Sequence, residues 1–134
     1  MDRLEQCAAR ALGQGRAVRT LLDTVVLPAL PPAGRGPASR LRRRIDRGEI
    51  FDEAFLEQLD AVTASLRRRV EDGTHRGWHS DEHHVDGGYV VTGRDGTASD
   101  LAAALPVLDA LATAVAETLD AAKAAQAAAD LASG

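Results

Sequence analysis

The chain has 134 residues, a length that supports one domain and leaves little room for a second core. Of its 45% apolar residues 26 are Ala, and the aromatics amount to Phe51, Phe55, Trp78 and Tyr89, so the expected core is thin and helical. A net charge of −4 and a pI near 5.5 argue against the uniformly basic surface of a general nucleic-acid binder, and one Cys excludes an intramolecular disulfide.

Charge is unevenly spread. Residues 1–80 carry 14 basic against 11 acidic side chains, and residues 81–134 carry 2 against 9, an arrangement that suits head-to-tail contact in an oligomer. Cys7 reads as a small buried apolar side chain in a reducing compartment. Asp2 and Glu5 do not suit a signal peptide, and Asp23 with Pro28, Pro31 and Pro32 interrupts the most apolar early run. No apolar stretch of 18 residues is expected, and the chain reads as cytoplasmic, with no membrane partner.

The first helix is expected over 3–27, because Leu4, Ala8, Ala11, Gly15, Val18, Leu22 and Val25 alternate steps of four and three. Gly13 and Gly15 weaken it, and a break near residue 14 is compatible with them. Residues 28–38, with four prolines and two glycines, form a connector. Ser39 is the expected N-cap of a short basic helix over 39–47 that Gly48 closes. Asp52 caps a third helix over 52–71, with Phe55, Leu59, Val62 and Leu66 on one face and Leu56 and Val70 beside it.

Residues 73–97 are rich in Gly and His and contain the β-branched run Tyr89-Val90-Val91-Thr92 between turn formers, which predicts a small β-hairpin around 84–97. Thr97 and Asp100 match a capping box for a last helix over 99–131. That helix has the strongest pattern in the chain: Leu101, Leu105, Leu108, Ala112, Val115, Leu119 and Ala122. Pro106 predicts a kink or restart within it, and the tail 121–134 is expected to fray. The expected fold is mostly α: a single domain over 1–134, a bundle of about four helices with one small β-hairpin before the C-terminal helix.

Three groups of residues carry chemistry. His75, His79, His83 and His84 lie within ten residues, interleaved with Asp81, Glu82 and Asp86; on a helix, imidazoles four apart point the same way and with a carboxylate suit a divalent transition metal such as zinc. The protease pattern H-E-x-x-H is missing, since Ser80 follows His79, and Gly73 and Gly77 leave the segment poorly preorganised, so no cofactor is the first expectation. His83-His84-Val85-Asp86-Gly87, followed by Ser99-Asp100-Leu101, resembles the start of the HNH nuclease finger. That resemblance covers about twenty residues, and the chain has no Asn and no His after residue 84, which removes a ligand that family needs.

The second group is the run from Arg35 to Arg47, a local charge of +5, in which Arg40, Arg43, Arg44 and Arg47 share a helical face that suits phosphates or an acidic protein surface. The third is the stripe Leu101, Leu105, Leu108, Val115 and Leu119, apolar surface that one small chain covers with difficulty. No phosphate loop or nucleophile elbow is present. The first functional expectation is therefore a non-catalytic structural or adaptor subunit, a homo-oligomer or part of a larger protein complex. Nucleic-acid or polyanion binding through Arg35–Arg47 and metal binding through the histidines stand as alternatives.

Overall fold

The computed structural model describes residues 2–72 and 88–133, and every regular element among them is helical. Helix α1 spans Arg3–Leu21 and continues through a π-helical turn, Leu22–Val26, into Leu27–Ala29. A 3-10 turn at Pro32–Gly34 leads to α2 (Gly36–Asp46), followed by α3 (Glu53–Asp72) and α4 (Gly88–Ser133). The bundle of four helices agrees with the mostly α expectation, and the β-hairpin does not form: residues 88–97 are the opening turns of α4. Residues 84–87 lie outside the described residues.

No second strand is present among the described residues to pair with this run. A β-branched run gains from strand pairing only when a second strand supplies the ladder, whereas an existing helix grows by one hydrogen bond per residue. Helix α4 extends back through Thr97, the expected N-cap, to Gly88. Pro106 does not restart it. Pro106 and Ala102, whose carbonyl the missing N–H would have bonded, are both exposed, so water can serve that carbonyl.

Local signals fix the other ends. Asp2 caps α1 by accepting the Glu5 N–H at 2.8 Å, and Asp52 caps α3 by accepting the Phe55 N–H at 2.7 Å. Helix α2 starts earlier than the Ser39 cap predicts, because Pro37 fits its first turn, where a missing N–H costs nothing. It ends as expected at Gly48, with φ +72; Gly48 N–H donates to Ile45 and Glu49 N–H to Arg44, the paired bonds of a Schellman cap. The π turn has its own cause. Pro28 would press its ring on the Thr24 carbonyl in an α-helix, and the wider turn relieves this, with Leu27 N–H reaching back to Leu22.

Helix α4 runs antiparallel to α1 and α3, as shown by the pairs Arg10–Glu117 (3.6 Å), Arg67–Asp109 (3.2 Å) and Lys123–Glu53 (3.6 Å). The core joins Ala11, Val18, Leu22 and Val26 of α1 with Leu41 of α2, Phe55, Leu59 and Leu66 of α3, and Leu101, Leu108, Leu111 and Val115 of α4. Two buried hydroxyls are satisfied within their own helices: Thr63 donates to Leu59 and Thr118 to Ala114, both at 2.8 Å.

Gly13 and Gly15 do not break α1. Gly15 is buried, and a Cβ there would meet Ile45 Cγ2 at 3.7 Å and Ile50 Cδ1 at 3.8 Å, ordinary van der Waals contacts. Gly15→Ala is therefore expected to stabilise the chain by about 1 kcal/mol, since Ala loses less backbone entropy in a helix. Thermal unfolding should show a rise of about 3–6 °C. A fall would mean that α1 and the Ile45–Ile50 region must approach more closely than a methyl allows.

Candidate interaction surfaces

The arginines of the 35–47 run divide into two sets. Arg35 Nε donates to the Leu30 carbonyl at 2.8 Å, and Arg42 Nε lies 2.9 Å from Asp23 Oδ1. Arg44 is held most firmly: Nη2 donates to Asp52 Oδ2 at 2.6 Å, Nε to the Glu49 carbonyl at 3.0 Å, and its guanidinium carbon lies 6.0 Å from the Phe55 ring centroid. Of the four residues expected on one polyanion-binding face, Arg44 thus fastens α2 to α3. Arg40, Arg43 and Arg47 are exposed and have no side-chain partner among the described residues.

Arg19 adds a link that the sequence did not reveal. It donates to Asp46 of α2 and, at 3.2 Å, to Asp23 of the π turn, which also meets Arg42. The hydrogen bond and the charge of Asp46 raise the Arg19 pKa above its ordinary value. Asp23 lies four residues from Arg19, within reach along one helix, whereas Asp46 lies 27 residues away, a distance that only the fold closes.

The leucine stripe lies mainly inside this chain. Leu101, Leu108 and Val115 are enclosed in the core, and Leu105 and Leu119 are partly buried against it. The fully buried positions also include Ala104, Leu111 and Ala114, so the packed face is broader than the stripe. Beyond Ala121 the pattern changes: every residue from 122 to 133 is exposed, and Leu131 is 83% exposed. The expected frayed tail is helical through Ser133. Beside it, Asp2, Arg3, Leu4, Ala121, Ala124 and Ala125 line an open groove of about 320 Å³ between the start of α1 and α4.

Asp100–Ser133 is long and apolar enough to cross a bilayer, with an 18-residue window of mean hydropathy 1.5, which corrects the expectation that no such stretch exists. The sequence reading gave weight to leucines, whereas alanines supply much of this hydropathy. Its leucines at 101, 108 and 111 are enclosed by α1 and α3, and the core helix of a soluble bundle passes the same test.

The metal candidates His75, His79, His83, His84, Asp81 and Glu82 lie outside the described residues, as do residues 83–87 of the HNH-like segment. Among the described residues no group of three or more His, Cys, Asp or Glu is placed to hold a metal ion. Comparison with protein-family models, with characterised proteins and with solved structures returns no match.

Proposed function

We propose that this chain is a helical docking subunit that joins a larger protein assembly through the exposed end of α4. The observation that carries this reading is the contrast along one helix. From Leu101 to Ala121, one face of α4 packs into the core; from 122 to 133 the helix offers solvent a surface made largely of alanine methyls, with Leu131 near its end. A helix covered in small residues lets a partner backbone approach closely, and an exposed apolar continuation of a core helix favours association over solvation. The leucine-bearing part of α4, Leu101, Leu108 and Leu111, is packed against α1 and α3, which supports a protein partner for the exposed remainder.

Site-specific photocrosslinking in the native cell tests this reading. A photoreactive side chain at Ala128 is expected to give a discrete adduct of higher mass, while the same probe at Asp60, exposed on α3, gives none. Equal absence of adducts, or equal yields at the two positions, would overturn the proposal.

A further inference from the structure

We propose that the exposed arginine row of α2, Arg40, Arg43 and Arg47, is a binding site for the phosphodiester backbone of a nucleic acid. The three residues are three and four positions apart and so lie on one helical face. Among the described residues their charges have no partner, where those of their neighbours do. Arg42 and Arg44 face Asp23 and Asp52, Arg35 is bonded to a carbonyl, and the one acid within α2, Asp46, is taken by Arg19. The fold thus neutralises the inner cations of the run and leaves an outer row without a carboxylate partner among the described residues.

That row makes no ion pair or side-chain hydrogen bond among the described residues. Arg43 and Arg47, at the end of α2, complement the helix dipole, but Arg40 gains nothing from it: its Nη1 is 3.4 Å from the position a Cβ would take at Gly36, in the first turn of α2.

Two kinds of partner carry the complementary charge: nucleic-acid phosphates and an acidic protein surface. Protein interfaces gain most of their energy from a few apolar or aromatic anchors buried at their centre. The apolar residues of α2 do not supply them. Ala38 and Leu41 are enclosed in the core and Ile45 packs against it, so the outer face has guanidinium groups without an anchor. Phosphate contacts need no anchor, because guanidinium matches phosphate with paired N–H donors and association is driven by release of counterions. The overall negative charge does not oppose this, since the acidic excess resides in residues 81–134 while α2 is basic.

The inference is independent of docking through α4 and is tested separately. Fluorescence anisotropy of a labelled 20-base-pair DNA duplex, titrated with full-length protein to about 100 µM, is expected to show saturable binding at 50 mM NaCl. With three phosphates neutralised, affinity should fall about 40-fold between 50 and 200 mM NaCl. The R40Q/R43Q/R47Q variant should bind at least about tenfold more weakly at 50 mM, with unchanged helicity by circular dichroism. R10Q/R67Q, which removes two exposed arginines that have internal carboxylate partners, should bind as the parent does. No binding at 50 mM, equal binding by the triple variant, or tighter binding of labelled poly-glutamate than of the duplex would each overturn the assignment; the last result would identify an acidic protein surface as the occupant.

Discussion

A Phe55→Ala variant is expected to lose about 3–5 kcal/mol of unfolding free energy, a large part of the whole for a domain of this size. Phe55 is fully enclosed and is the largest fully buried side chain among the described residues, in a chain with only four aromatic residues. Its removal deletes apolar burial and leaves a cavity that its neighbours fill only in part. It also removes the ring beneath Arg44, whose pairing with Asp52 ties the end of α2 to the start of α3. Urea unfolding followed by circular dichroism at 222 nm measures the loss. The midpoint should drop while the slope stays unchanged, since the folded and unfolded states expose similar surface in both proteins. A loss below about 1 kcal/mol would mean that the α2–α3 junction is not the well-packed region described above.

Phe55 was legible in the sequence as a core residue, and so was the rest of its face. Leu59, Val62 and Leu66 follow at steps of four, three and four, and all are buried. In the first turns of α1, Leu4 and Ala8 are half-buried and Cys7 is the enclosed residue, whereas the face of α1 was legible from Ala11 through Leu22. It then shifts by one residue: Val25 was expected in the core, but Val26 is the enclosed residue, because the π turn inserts an extra residue before Pro28. Spacing arguments assume a constant pitch, and a proline that changes the pitch moves every later position. In α4 the leucines were correctly placed as apolar but their surroundings were not legible. Ala104, Ala114 and Ala121 are buried while every alanine after 121 is exposed, and a side chain of one methyl group leaves no periodic signal to distinguish the two.

The basic segment was legible as a charged helix and illegible as a site. Arg40, Arg43, Arg44 and Arg47 are equivalent in a helical projection. The structure separates Arg44 from the others through Asp52, eight residues away across the Gly48 turn, and it occupies Asp46 from α1 through Arg19. Which arginine is neutralised depends on where carboxylates from other helices fall, and a pattern confined to one helix does not contain that information. The hairpin expectation failed for a related reason: strand propensity is local, whereas a strand needs a partner from elsewhere in the chain.

The second large effect is expected at Leu108. Leu108 is fully enclosed in the middle of α4, the helix that packs against both α1 and α3, so Leu108→Ala opens a cavity where three helices meet. The expected loss is about 2–5 kcal/mol. Leu12→Ala makes the same chemical change on α1, but Leu12 is 41% exposed and outside the core cluster, so its loss should stay within about 0.5 kcal/mol. The two variants have the same composition and both place Ala, a strong helix former, so helix propensity cancels and the difference between them reports burial alone. Chemical denaturation of the pair therefore tests the antiparallel packing of α4. Similar losses at Leu12 and Leu108 would mean that α4 does not present its Leu101, Leu108 and Leu111 face to α1 and α3. A loss confined to Leu108 requires that face to be enclosed by the chain itself, which leaves only the end of α4 beyond Ala121 exposed for the docking proposed above.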